Sequence, residues 1–136
     1  MNPSLTSESE SSPGSIKPAV ICLLLANAVP AFWLAGDMAW GWMASFLEFL
    51  ALLQPGLEAG QRPAAIMGVT ANLGYLMTII AHQSSRLPFA RKSAFIAALA
   101  AFASVAFLAT GSEKFLPGPG CLLWLLTGVQ LVRATR

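Results

Sequence analysis

Charge is what this sequence has least of: eight Lys and Arg and six Asp and Glu, together 10% of 136 residues. A soluble domain typically carries about 25% charged residues, because water must solvate its surface. A chain that is 56% hydrophobic is also too short to hide that much apolar surface in one water-soluble core. An ordinary soluble domain is thereby excluded, and a bilayer that solvates the outer face is the expected environment. The net charge of +2 is too small to point to nucleic acid, and a few cations pressed against a bilayer make no nucleic-acid surface.

Other shortages exclude chemistry. Cys22 and Cys121 are the only cysteines; they stand far apart, in or beside apolar runs, with no C-x-x-C pair. Neither a disulfide framework nor a zinc site is indicated. His82 is the only histidine, so the paired imidazole ligands of a membrane haem and an H-E-x-x-H zinc helix are both missing. There is no G-x-S-x-G, no convergent Ser/His/Asp set and no Gly-rich phosphate loop; Pro117-Gly118-Pro119-Gly120 reads as a turn. No enzyme activity, cofactor or metal is expected.

Long apolar runs are what is present. A spanning helix needs about 20 mostly apolar residues, and four segments qualify: 18–35, 63–81, 93–110 and 116–132. Pro63 suits a first helical turn, Gly111 a helix end, and Pro119 the actual start of the last helix. The polar, Ser-rich residues 1–16 are expected to form a disordered tail, with 17–136 as one transmembrane domain. Ala26-Asn27-Ala28 matches a signal-cleavage pattern. The acids Glu8 and Glu10 upstream, and apolar character continuing to Ala35, favour a retained first helix instead.

Residues 38–53, MAWGWMASFLEFLALL, are ambiguous. Sixteen residues make about 24 Å of helix, short of a hydrocarbon core of about 30 Å. Asp37 can cap the start, Trp40 and Trp42 suit an interface, and Pro55-Gly56 stop the helix. The segment is either a fifth span or a short helix lying in, or dipping into, the membrane. Basic residues discriminate, because cytoplasmic loops are enriched in them. Five spans put Lys17, Arg62 and Lys114 opposite Arg86, Arg91, Lys92, Arg133 and Arg136, three against five. Four spans group Lys17 with Arg86, Arg91, Lys92, Arg133 and Arg136 against Arg62 and Lys114, six against two. The expected fold is therefore an all-α integral membrane protein. It is a compact bundle of four transmembrane helices plus a short membrane-embedded helix at about 38–53, with five spans as the alternative. The C-terminus and loop 82–92 are expected in the cytoplasm of a bacterium, with the chain in its inner membrane.

Helices in lipid associate through small residues. Candidates are Ala64-Gly68 and Thr70-Gly74-Thr78, Ala97-Ala101 and Ala100-Ser104, and Gly120 and Gly128 around Trp124. Gly41, Ala44, Ser45, Glu48 and Ala51 fall on one helix face, so Glu48 should point into the bundle. An ionised carboxylate in hydrocarbon is costly, which demands protonation, pairing or water. Glu48, Asn72 and Asn27 form the candidate intramembrane polar site. Arg86, Arg91 and Lys92 are candidate contacts for headgroups or a partner. The expected role is a non-catalytic accessory, assembly or interaction subunit, in contact with lipid and with other membrane subunits or its own copies. The alternative is a small oligomeric transporter or channel in which Glu48 couples to protons or cations.

Overall fold

The structure is a computed structural model that describes residues 14–34, 36–57, 60–111 and 114–136. Residues 1–13, most of the expected disordered tail, lie outside the described residues. The described residues are mostly helical, with five helices among them: α1 (Lys17–Ala28), α2 (Gly41–Leu53), α3 (Gln61–Gln83), α4 (Leu87–Gly111) and α5 (Pro119–Ala134). Two of them, α3 and α4, are long and apolar enough to cross a membrane.

The expectation of an all-helical fold is corrected by a three-stranded antiparallel sheet of β1 (Pro30–Leu34), β2 (Asp37–Trp40) and β3 (Phe115–Pro117), in the order β2-β1-β3. The expected helix 18–35 stops at Ala28 for a local reason. Pro30 has no N–H to continue the ladder, and it drives the preceding residue out of helical geometry; Val29 is extended, at φ −120° and ψ 164°. Asn27 helps close the helix by donating its side-chain amide to the Leu23 carbonyl at 2.8 Å. The carbonyls beyond the break then need donors. Gly41 N–H supplies one to Val29 O at 3.1 Å, and Gly118 N–H one to Ala31 O at 2.7 Å. Pro30 thus converts the second half of a hydrophobic run into the central strand of a sheet. Phe32 and Phe115 pack across the β1–β3 pair with ring centroids 5.8 Å apart. Gly36, at φ +95°, makes the β1–β2 reversal with a backbone conformation that side chains resist.

The α3–α4 pair forms the spine. Ala64, Gly68, Ala71, Tyr75 and Thr78 are buried along one face of α3, and Ala90, Ala94, Ala97, Ala101 and Ser104 along one face of α4. The helices run antiparallel with small residues interleaved, as short side chains allow backbones to approach. Ser104 donates to Ala64 O at 2.8 Å, Thr78 and Ser93 share a hydrogen bond at 2.8 Å, and Gly60 lies against Gly111. Helix α1 packs on α5 and α2 on α3. Apart from Tyr75 and Leu131, which are fully buried, most large side chains point outward: Phe46, Phe49, Leu73, Phe95, Leu99 and Leu122 are all exposed.

Close contacts fix which ends lie together. Gly14, just ahead of α1, sits against Ala134 near the end of α5. Arg91 donates to Thr135 O at 2.9 Å and to Arg136 O at 2.7 Å. The start of α1, the α3–α4 turn and the C-terminus therefore share one end, with Lys17, Arg86, Arg91, Lys92, Arg133 and Arg136. Arg62 donates to Gln54 O at 3.1 Å at the other end, where α2 stops, α3 starts and Lys114 follows α4. The expected basic loop 82–92 is also shorter than anticipated. Leu87–Lys92 are already helical, because Pro88 is tolerated in the first turn of α4.

Lengths explain what the sheet does. The 23 residues of α3 span about 35 Å at about 1.5 Å per residue. The 12 residues of α1 and five of β1, laid end to end, reach about 34 Å at about 1.5 and 3.3 Å per residue. The 16 residues of α5 with three of β3 reach about the same length. Each short helix is completed to the length of α3 by a strand. β2 then runs back antiparallel to β1, and Gly41 begins α2 beside Val29 and Ala26 in the interior. Helix α2 returns toward Gln54, so residues 37–53 go in as a strand and come out as a helix at the same end.

Candidate functional site

The inward face of α2 is the period-three-to-four face of Gly41, Ala44, Ser45, Glu48 and Ala51. These five are buried or half-buried, while Trp42, Phe46, Phe49, Leu50 and Leu53 are exposed. Glu48 is consequently aimed at α3, one turn from the small residues that let α2 approach. Gly68 provides the seat. A β-carbon there would overlap the Glu48 carboxyl group, so only glycine leaves the space that the carboxyl fills.

Asn72, one turn farther along α3, donates its amide to Glu48 Oε2 at 3.3 Å and to Ser45 Oγ at 3.4 Å. Its carbonyl oxygen accepts from Trp124 Nε1 at 2.8 Å. An indole nitrogen can only donate, so Trp124 fixes which end of the Asn72 amide faces the carboxyl. Tyr75 extends the chain of contacts. It is fully buried, donates its hydroxyl to Trp124 O at 3.1 Å, and meets the Trp124 ring edge-on with centroids 6.0 Å apart. Gly128 makes room for that hydroxyl: a β-carbon there would stand 2.8 Å from it. Through these bonds α2, α3 and α5 meet at one point.

Glu48 borders two spaces. An inner cavity of about 40 Å³ is lined by Asn27, Ser45, Glu48, Asn72, Cys121 and Trp124, among others. One water needs about 10–15 Å³ by the same measure, so the cavity has room for a few waters. A wider groove of about 200 Å³ lies between α2 and α4 over α3, lined by Glu48, Leu47, Ala51, Leu57, Ala65 and Leu108, among others, and reaches Gln54 and Gln61 at the Arg62 end. Among the described residues no cation pairs with Glu48, and no group of three or more His, Cys, Asp or Glu could hold a metal.

Of the candidate residues read from the sequence, Glu48 and Asn72 are brought together. Asn27 lines the same inner cavity, but its amide is committed to Leu23. Arg86, Arg91 and Lys92 lie at the opposite end of the molecule, where Arg91 holds the last two carbonyls of the chain. Trp124 and Tyr75 were not among the candidates. A usable signal existed: both sit in the middle of apolar segments rather than at their ends, where a polar aromatic tip needs a buried partner. No protein family, curated protein or solved structure matches this chain.

Proposed function

We propose that this chain is an integral membrane protein of four spans, that residues 37–53 form a re-entrant hairpin, and that Glu48 is its functional group, a proton- or cation-binding carboxyl in a small carrier or channel. The membrane reading rests on the inverted distribution of side chains. Alanine, glycine, serine and threonine fill most of the interior, with Tyr75 and Leu131 among them, while phenylalanine and leucine cover most of the outside, the opposite of a water-soluble core. Six basic residues at one end and two at the other agree with a cytoplasmic face at the Lys17, Arg91 and Arg136 end. Backbone that is neither helical nor in a closed barrel is tolerated at membrane depth only when buried in protein or lining a cavity, and here the Gly41 and Gly118 N–H groups satisfy the carbonyls of the broken segment.

The observation that carries the functional reading is the carboxyl itself. Glu48 lies between two cavities, seated on a glycine and held by one amide donor, with no cationic partner among the described residues. A carboxyl kept only for packing would be replaceable by an apolar side chain at little cost. The test is reconstitution of the full chain in liposomes, with internal acidification followed under an imposed potassium diffusion potential. Wild-type protein is expected to conduct or couple protons and Glu48→Gln to abolish the signal. Equal flux in the two proteins would remove the reading.

A second reading, a non-catalytic assembly subunit, is favoured by the bonds through which Glu48, Asn72, Trp124 and Tyr75 tie three helices together. It predicts that Glu48→Ala leaves partner assembly intact while a bulky residue at Gly68 or Ala101 destroys it.

A further inference from the structure

We infer that the partner of Glu48 is a small organic ammonium carried on an apolar body, received through the groove between α2 and α4, and not a metal cation. The inference rests on the reading of Glu48 as the functional carboxyl and specifies its ligand. Trp124 Nε1 binds the carbonyl end of Asn72 at 2.8 Å, so the amide turns its NH₂ toward Ser45 and Glu48. Asn72 therefore offers a cation a donor instead of a ligand. That leaves one carboxylate with the neutral oxygens of Ser45, Ser104 and Asn27 around the inner cavity, fewer than the about six to eight oxygens that hard divalent cations take. An ammonium brings three N–H donors, which the Glu48 carboxylate and the neighbouring Ser45 hydroxyl can accept through charge-assisted hydrogen bonds.

The groove holds about 200 Å³ against about 40 Å³ for the inner cavity. Leu34, Leu47, Ala51, Leu57, Ala65 and Leu108 wall it, with Glu48 bordering both it and the inner cavity. Gln54 and Gln61 stand at its far end, and a desolvated inorganic ion would gain little from the leucine and alanine walls between. A ring or short alkyl body would bury its surface against them while its ammonium met the carboxyl, the usual division between an apolar pocket and one orienting polar group.

The test uses the full chain in nonionic detergent micelles and isothermal titration calorimetry with benzylammonium chloride, benzyl alcohol and sodium chloride. Saturable benzylammonium binding is expected, with none for the neutral alcohol or sodium. Glu48→Gln should weaken it about thirtyfold or more, the scale for removing one partner of a buried charge pair. Leu108→Trp, on α4 across the groove from the α2 inward face, should weaken benzylammonium binding by filling the groove. Sodium binding that requires Glu48, or benzylammonium binding indifferent to Glu48→Gln, would overturn the inference. Proton flux that still required Glu48 would leave the carboxyl reading standing in either case; flux and binding both indifferent to Glu48 would remove the two together. Displacement of benzylammonium by dihexanoyl phosphatidylethanolamine would assign the ammonium to a lipid headgroup and overturn a freely diffusing source.

Discussion

Gly41→Ala is expected to lower the melting temperature of the purified protein by about 10 °C, corresponding to about 3 kcal/mol. Gly41 is where residues 37–53 turn from β2 into α2, and they do so against the last turn of α1. An alanine β-carbon would stand 2.7 Å from the Asn27 α-carbon and closer still to the Ala26 carbonyl oxygen. Both neighbours are backbone, so no side chain can swing aside, and α1 and α2 must separate. That separation would also weaken the Gly41 N–H bond to Val29 O, one of the bonds that satisfy the broken segment. Thermal unfolding in detergent, followed by circular dichroism, measures the effect. An unchanged melting temperature would mean that the two segments do not cross there.

Gly68→Ala is expected to do the reverse, sparing the fold and damaging the site. The atoms in its way belong to the far end of a flexible side chain, the Glu48 carboxyl, which can move. Alanine also gains about 1 kcal/mol over glycine in a helix interior, which offsets part of the lost packing. The melting temperature should therefore change by only a few degrees. The carboxyl, however, must leave its seat and its bond from Asn72. A hydrogen bond contributes about 0.5–1.5 kcal/mol, so Glu48-dependent flux should fall about severalfold. Parallel measurements of unfolding and of liposome flux on Gly41→Ala and Gly68→Ala separate the glycine that holds the fold from the glycine that seats the carboxyl. Full flux in Gly68→Ala would show that the position of the carboxyl does not matter.

These two glycines mark the limits of what was legible in the linear chain. The helices α3 and α4 were readable because their apolar runs are long and carry punctuation, Pro63 and Gly111. The inward face of α2 was readable because Gly41, Ala44, Ser45, Glu48 and Ala51 recur at helical spacing. The sheet was not. Pro30–Leu34 is a five-residue apolar stretch inside a longer apolar run, and periodicity cannot separate a short buried strand from the continuation of a buried helix. Pro30 was legible as an interruption, but a kink and a change of secondary structure have the same local cause. What decides between them is the supply of donors from Gly41 and Gly118, which are distant in sequence. Asn72 was visible as a polar residue within a span, yet its meeting with Glu48 depends on α2 returning along α3. Trp124 supplies the bond that orients Asn72 from across the molecule, and nothing near position 124 announces that partner.

The central claim is that residues 37–53 dip into the membrane and leave by the side they came from, and the most direct measurement is the sidedness of the two chain ends. A protease-cleavable tag placed ahead of Lys17 and, separately, one after Arg136 can be probed in sealed membrane vesicles. Both tags should be protected, or both cleaved, together, with the common side cytoplasmic, as four crossings and the contacts of Gly14 with Ala134 and of Arg91 with Arg136 require. Tags on opposite sides would mean that residues 37–53 complete a fifth crossing, and both the re-entrant hairpin and the six-against-two arrangement of basic residues would have to be given up.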